Sequence, residues 1–156
     1  MSKSQENAAE PIQRKVVVVD DDPRVRQSLE SLLNSAEINV RTFSSAVEVL
    51  ASGTLEGAAC LITDIRMPVI DGWELQRRTT VAHPRLPLIF VTAHQDQGSL
   101  QRAISCGAFA FFYKPFDGEE LLRTVEAAFK SNRISDGPEG MPDLREKNIC
   151  GSSDSR

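Results

Sequence analysis

Acidic, hydroxyl and lysine side chains stand at the carboxyl ends of short apolar runs in this chain. Asp20 and Asp21 stand at the end of the first run, Asp64 and Thr92 end two later runs, and Lys114 follows the last one. Carboxylate oxygens are the ligands that small divalent cations prefer, and a carboxylate can also act as a nucleophile. A lysine ammonium stabilises a transferred anionic group. These residue types together predict metal-assisted chemistry on a phosphate, provided that the fold brings them to one place.

Five short apolar runs, rich in β-branched and aromatic residues, predict the strands of a sheet. Their hydrophobicity is continuous rather than alternating, which is typical of strands that are buried on both faces. The predicted strands are Val16 to Asp20, Ile38 to Phe43, Ala59 to Asp64, Leu88 to Thr92 and Phe109 to Tyr113.

The segments between these runs have helical periodicity and helix-capping residues. The side chain of Asp22 is expected to cap the first helix rather than to bind a metal, and Pro23 suits the first helical position. The clearest apolar stripe comprises Val25, Leu29, Leu32, Leu33 and Ala36. Further N-terminal caps are predicted at Asp71 and Asp117, and helix ends at Gly53 and Gly107.

Strands that alternate with helices predict an α/β fold, in which five parallel strands form a doubly wound sheet with five helices. In the flavodoxin-like strand order 2-1-3-4-5, the first and third strands are neighbours. Ligands of such sheets bind at the carboxyl edge where the winding reverses. Asp20, Asp21 and Asp64 are therefore expected to meet at that edge.

Three carboxylates at one place repel one another and resist ionisation unless a cation neutralises them. We expect Mg²⁺, for which Mn²⁺ can substitute, because Mg²⁺ binds one or two carboxylates together with phosphate oxygens. Lys114 would supply a second positive charge. With both cations in place, the carboxylate of Asp64 can attack the phosphorus of an anionic donor and form an acyl phosphate.

Five segments carry a resemblance to a known family over residues 15 to 131. The segments VVVDDDPRVR, TDIRMP, DGWEL, FVTAH and KPF resemble, in this order and spacing, the receiver domains of two-component response regulators, the CheY-like superfamily. The segments FVTAH and FxxKPF are most similar to receivers of the FixJ-like branch, whose full-length members carry a helix-turn-helix output domain.

The resemblance implies roles for the acidic residues. Asp64 would be the phosphorylated residue, and Mg²⁺ would be bound by the carboxylates of Asp21 and Asp64 and by the backbone carbonyl of Arg66. Asp20 would contact the metal through water.

The resemblance also implies a switch. Thr92 and Lys114 would hold oxygens of the phosphoryl group, and the hydroxyl of Thr92 would move towards it while the ring of Phe111 turns inward. The peptide bond after Lys114 is usually cis in this family. Arg66 and His94 would line the path of the attacking water, and we expect them to tune the lifetime of the phosphorylated state.

Three aromatic residues are consecutive at the switch position. Strand alternation places Phe111 and Tyr113 on one face and Phe112 on the other, so that Phe112 is expected in the core. Tyr113 remains an alternative contributor to the output surface.

The expected function is phosphorelay reception. The partners would be a sensor histidine kinase or a phosphotransfer protein, and an unknown downstream output partner. The changing surface would be formed by the fourth helix, fifth strand and fifth helix, through which the chain would also form a homodimer. The expected activity is weak self-phosphorylation and autodephosphorylation rather than enzymatic turnover.

Two alternatives stay open. One is an interaction module that keeps the site but works without phosphorylation. The other is a phosphatase with an aspartyl-phosphate intermediate. Such enzymes generally place a general acid two residues after the nucleophile, where this chain has Arg66, which cannot act as an acid.

Composition excludes several other classes. The net charge of −4 and the pI near 5.2 give no broad basic surface, so direct binding of nucleic acid is not expected. No apolar run approaches the ~18 residues of a membrane span, which predicts a soluble cytoplasmic protein without a membrane partner. The three cysteines lack paired spacing, and neither His83 nor His94 has a second ligand at metal spacing. We therefore expect reduced thiols, two of them in the core, and no zinc site.

The length of 156 residues allows one buried core rather than two. Residues 1–14 are predicted to form a flexible leader, residues 15–131 the receiver domain, and residues 132–156 a flexible tail or linker. Any output domain would lie outside this chain.

Overall fold

The computed structural model describes residues 14–93 and 97–135, which form alternating strands and helices. The strands are β1 (Lys15–Val19), β2 (Asn39–Phe43), β3 (Cys60–Thr63), β4 (Leu88–Thr92) and β5 (Ala110–Tyr113). The helices are α1 (Pro23–Ser35), α2 (Ala46–Ser52), α3 (Gly72–Ala82), α4 (Gln97–Ser105) and α5 (Gly118–Ser135). Each predicted strand is confirmed to within one residue at either end.

The strands form one parallel sheet in the order β2-β1-β3-β4-β5, which confirms the predicted fold class and strand order. Strand β1 lies between β2 and β3, and it pairs with β2 through Val19 and Phe43 and with β3 through Val19 and Thr63. The carboxyl ends of these strands consequently lie at one edge of the sheet.

Side chains of β1 alternate between two cores, one on each face of the sheet. Val16 and Val18 pack with α1 and α5, whereas Val17 and Val19 pack with α2 and α3. All four valines are fully buried. The sequence of β1 is continuously hydrophobic because helices cover both faces of the strand.

The first helix begins where its capping residues predict. The side chain of Asp22 accepts a hydrogen bond from the backbone N–H of Arg24 at 3.0 Å, and Pro23 is the first helical residue. This hydrogen bond lowers the pKa of the Asp22 carboxyl, so Asp22 caps the helix as a carboxylate. The predicted apolar stripe packs on the sheet except for Ala36, which is exposed because the helix ends at Ser35.

Three further predictions about helix ends are confirmed. Asp71 caps α3 by accepting from the N–H of Glu74 at 2.9 Å. Asp117 caps α5 by accepting from the N–H of Glu119 at 3.0 Å, one residue earlier than the capping-box spacing implied. Gly53 ends α2 with a φ of 74°, a conformation that glycine adopts without steric cost.

Some predictions fall outside the described residues. These are the leader up to residue 13, the tail from residue 136, and His94. The last helix continues to Ser135, four residues past the predicted end of the domain. Within the described ranges, no helix is both long and apolar enough to cross a bilayer.

Candidate functional site

The sheet register brings the first acidic residues together. Val19 pairs with Thr63 across β1 and β3, so Asp20 and Asp64, which follow them in the chain, become neighbours. The pairing extends one residue further, because the N–H of Asp64 donates to the carbonyl of Val19 at 3.0 Å. The parallel topology therefore places two carboxylates side by side at the carboxyl edge.

Lys114, which follows strand β5, lies at the same edge of the sheet. Thr92 pairs with Tyr113, and the N–H of Lys114 donates to the carbonyl of Thr92 at 2.8 Å. The Nζ atom of Lys114 then donates to Oδ2 of Asp20 at 2.9 Å and to Oδ2 of Asp64 at 3.3 Å. Thr92, at the end of β4, is fully buried. Four sites that are far apart in sequence thus meet, and the peptide bond after Lys114 is cis, as expected.

Asp20, Asp21 and Asp64 form the acidic cluster. Each offers one carboxylate oxygen, and these three oxygens all lie within 4.8 Å of one another. Asp20 is fully buried and Asp64 is 7% exposed, while Asp21 is exposed. The cluster is therefore open to solvent on the side of Asp21.

The electrostatics of the cluster favour bound cations. Burial raises the pKa of the Asp20 carboxyl, and the neighbouring charge of Asp64 raises it further. Hydrogen bonds from the Asp22 N–H and from Lys114 lower this pKa, but burial outweighs them. For Lys114, burial lowers the pKa, but the hydrogen bonds and attraction to Asp20 and Asp64 outweigh burial, so the pKa is raised. Lys114 consequently stays protonated, and one ammonium faces two acidic partners.

The donor set of the acidic cluster fits Mg²⁺. Three carboxylates supply hard oxygen ligands at a spacing that one cation can bridge. Two of the three carboxylates are buried, where a negative charge without a compensating cation is costly. The residues present therefore suit a small divalent cation that reaches the cluster from the side of Asp21.

The carboxylate of Asp64 is held by the loop that follows it. Its Oδ1 accepts a hydrogen bond from the N–H of Ile65 at 2.7 Å. The N–H of Gly72, the first residue of α3, donates to the carbonyl of Ile65 at 2.7 Å. A Cβ atom at position 72 would lie 2.3 Å from the carbonyl oxygen of Asp64, so only glycine fits this close approach.

Gly72 is a site residue that the sequence interpretation missed. A signal was available, because a glycine directly after the N-cap Asp71 occupies a helical position where most other residues have a higher helix propensity.

The predicted switch aromatic lies in a row of rings. Phe111 is half-buried, and its ring centroid is 6.3 Å from that of Phe90 and 5.1 Å from that of Tyr113. Phe112 packs into the core on the opposite face of the sheet. The alternation predicted for these three residues is therefore confirmed.

The two predicted tuning residues differ in what can be described. Arg66 lies two residues after Asp64, and its exposed side chain lines a cavity of about 440 Å³ together with Trp73 and Ser99. His94 lies outside the described residues. Trp73 is half-buried, and the guanidinium of Arg102 stacks on its ring, with its carbon 4.3 Å from the ring centroid.

Comparisons with known proteins point to one family over most of the chain. Residues 16–126 match the family model described as the response regulator receiver domain. The chain is 39% identical over 115 residues to the response regulator protein TodT of Pseudomonas putida, covering 74% of this chain and 51% of TodT. It is 40% identical over 118 residues to the transcriptional regulatory protein TdiR of Thauera aromatica, covering 76% of this chain and 52% of TdiR.

Among solved structures, the crystal structure of FixJ-N matches with a TM-score of 0.68 and 32% identity, covering 75% of this chain and 94% of that one. This chain spans about half the length of the curated relatives named above, 51% of TodT and 52% of TdiR.

Proposed function

Because the chain belongs to the family of response regulator receiver domains, we propose that it is the phosphoacceptor switch of a two-component phosphorelay. In this proposal a histidine kinase or a phosphotransfer protein donates a phosphoryl group to Asp64. The observation that carries it is the bridge from Lys114 Nζ to Asp20 and Asp64, at 2.9 and 3.3 Å, within a cluster of three carboxylates.

The acidic cluster would hold Mg²⁺, or Mn²⁺ in its place. Asp21 and Asp64 are the proposed direct ligands, with the backbone carbonyl of Arg66, while Asp20 acts through water. The exposure of Asp21 and the burial of Asp20 support this division. When bound, the cation supplies positive charge for the phosphoryl oxygens and for the nucleophile.

The transfer step makes one bond and breaks one bond. A carboxylate oxygen of Asp64 attacks the phosphorus, and the bond from phosphorus to the nitrogen of the donor phosphohistidine breaks, so the electron pair returns to the imidazole. The N–H of Ile65 holds one oxygen of Asp64, and Lys114 contacts the other. These contacts orient the nucleophile and leave the ammonium beside the incoming phosphoryl oxygens, which Thr92 would also bind.

The proposed output is a change in packing on the face formed by α4, β5 and α5. A new anion at Asp64 would attract the hydroxyl of Thr92, and Phe111 would move into the space that this residue leaves. The half-buried position of Phe111, between Phe90 and Tyr113, supports its part in the switch. Arg66 and His94 are proposed to set how long the phosphorylated state lasts.

The partner of this face is proposed to be a second copy of the chain or a downstream output component. Leu100 and Ile104 are 36% and 62% exposed on α4 and lie one helical turn apart, which gives this face an apolar contribution. The relative TdiR is named a transcriptional regulatory protein, and the match to this chain covers 52% of its length. The proposed place of action is the cytoplasm, where a histidine kinase would meet it.

Phosphorylation from a small-molecule donor tests the proposal. The protein is incubated with acetyl phosphate and Mg²⁺, and its intact mass is measured. We expect a gain of one phosphoryl group in the parent, and no gain in Asp64→Asn or when a chelator removes Mg²⁺.

Asp117→Asn is the matched control, because Asp117 is an exposed cap of α5 and asparagine also caps helices. It should be phosphorylated like the parent. Equal labelling of the parent and Asp64→Asn would contradict the proposal, and phosphatase turnover of phosphomonoesters would favour the enzymatic alternative.

A further inference from the structure

We propose that Arg26 is a positioning residue of the metal site, which holds the main-chain carbonyl of Asp20 and thereby orients the carboxylate of Asp21. The inference rests on the proposed function, since it concerns the same Mg²⁺ site. It adds a residue on α1 that contacts neither the metal nor the phosphoryl group.

The contact itself is short and comes from a charged donor. Nη1 of Arg26 donates to the carbonyl oxygen of Asp20 at 2.7 Å, and both groups are partly buried. Hydrogen bonds with an ionised donor are shorter and stronger than neutral ones. Arg26 lies six residues after Asp20, so the side chain reaches back from the first turns of α1 to the end of β1.

The carbonyl of Asp20 and the nitrogen of Asp21 share one planar peptide group. A hydrogen bond to that carbonyl therefore fixes the orientation of the peptide plane that precedes the Cα atom of Asp21. The peptide after Asp21 is held as well, because the N–H of Asp22 donates to Oδ1 of Asp20 at 2.9 Å. Asp21 thus lies between two anchored peptide planes.

Asp21 depends on these anchors more than its neighbour does. The side chain of Asp20 is fully buried and bonded to Lys114, whereas the side chain of Asp21 is exposed. Little packing therefore holds the carboxylate of Asp21, and its direction follows from the backbone. Misplacement of one metal ligand weakens binding of a cation that demands near-ideal octahedral geometry.

For Arg26, charge repulsion and positioning of Asp21 predict opposite effects on Mg²⁺ affinity when the side chain is removed. The guanidinium of Arg26 is a cation near a cation site, so its removal would tighten Mg²⁺ binding if charge alone mattered. Its removal weakens binding if it positions Asp21. Arg24 provides the control, since it lies on the same helix, contacts the carboxylate of Asp22 at 3.5 Å, and has a side chain that is 89% exposed.

The test is Mg²⁺ affinity measured by isothermal titration calorimetry without a phosphoryl donor. We expect Arg26→Met to raise the Kd for Mg²⁺ about tenfold, as the loss of one hydrogen bond from a charged donor would do. Arg24→Met should bind Mg²⁺ as tightly as the parent or slightly more tightly. Arg26→Lys keeps the charge and one donor, and its Kd should fall between those of the parent and Arg26→Met.

Labelling by acetyl phosphate at increasing Mg²⁺ gives a second readout. In Arg26→Met the Mg²⁺ concentration for half-maximal rate should rise, while the rate at saturating Mg²⁺ should stay near that of the parent. A general folding defect would lower the saturated rate instead. Urea unfolding of each variant shows whether it is folded. If Arg26→Met does not fold, the Kd of Arg26→Lys is compared with that of the parent instead.

The possible failures separate the two proposals. A parent protein that binds no Mg²⁺ would overturn the metal site in the proposed function and this inference with it. A parent that binds Mg²⁺, with Arg26→Met at the same or a lower Kd, would overturn the inference alone. If only Arg26→Lys folds, a Kd equal to that of the parent would overturn it.

Discussion

Replacing Gly72 by alanine perturbs the backbone around the proposed phosphoacceptor. Alanine is favoured over glycine inside a helix by about 1 kcal/mol, so propensity alone predicts a more stable protein. The structure predicts the reverse. The added Cβ would lie 2.3 Å from the carbonyl oxygen of Asp64 and 2.8 Å from Cα of Ile65, and both obstacles are backbone atoms that cannot rotate away.

The size of the effect follows from these contacts. Forcing one extra carbon into a packed site costs about 1–3 kcal/mol, and the hydrogen bond from Gly72 N–H to the Ile65 carbonyl, worth about 1 kcal/mol, would be strained as well. After the propensity gain is subtracted, we expect Gly72→Ala to lower the free energy of unfolding by about 1–3 kcal/mol. Because Asp64 would shift with its backbone, labelling by acetyl phosphate should also slow.

Gly118→Ala is the matched control for this experiment. Gly118 also begins a helix, but its added Cβ would meet only the methyl groups of Leu32, at 3.1 and 3.6 Å. This flexible side chain can move, so little strain should offset the gain in helix propensity, and Gly118→Ala should be as stable as the parent or up to about 1 kcal/mol more stable. Urea unfolding followed by circular dichroism measures both variants. If Gly72→Ala were as stable as the parent, the close approach of α3 to Asp64 would be refuted.

Three smaller predictions concern stability and reactivity. Ser45→Ala should cost about 1 kcal/mol in urea unfolding, because the hydroxyl caps α2 by accepting from the N–H of Glu48 at 3.1 Å. Hydrogen bonds from two arginines on α3 lower the pKa of Glu74 to about 2 from the ordinary 4.5. The ionised form is thus stabilising above pH 4.5, and the stability lost in Glu74→Gln at pH 7 should shrink as the pH falls towards 2. Burial raises the pKa of Cys60 to about 12, so iodoacetamide at pH 8 should label Cys106 well before Cys60, and both alike in urea, as read by peptide mass spectrometry. Unequal labelling in urea, or equal labelling without it, would contradict the burial of Cys60.

Local signals in the sequence predicted most of the fold. The uninterrupted valines of β1 indicated a strand covered on both faces, and the strand is an interior one whose four valines are fully buried. Asp22 and Pro23 marked the start of α1 correctly, because a cap involves only residues that are close in the chain. The same locality explains the one error in the stripe, since periodicity alone did not show that α1 would end before Ala36.

Contacts that depend on tertiary distance could not be predicted in this way. Nothing in the periodicity of α1 shows that Arg26 reaches the carbonyl of Asp20, or that Gly72 lies against the backbone of Asp64. The turn at Val69 was also unexpected. Its φ of 70° is unusual for a β-branched residue, and the N–H of Ile70 closes the turn on the carbonyl of Pro68 at 2.8 Å.

The predicted site residues were brought together because parallel register, once established, fixes which strand ends are neighbours. The positions of Asp20, Asp21, Asp64 and Lys114 follow from that register. Their chemical roles remain predictions, as does the switch at Thr92. A role depends on the reaction as well as on the distance between two atoms.

The central claim is that Asp64, and neither of its two acidic neighbours, receives the phosphoryl group. An acyl phosphate is reduced by borohydride to an alcohol, which converts the acceptor aspartate to homoserine and releases phosphate. The protein is therefore phosphorylated with acetyl phosphate and Mg²⁺, reduced, digested and sequenced by mass spectrometry. We predict homoserine at position 64 only, whereas homoserine at position 20 or 21, or at no position, would contradict the account.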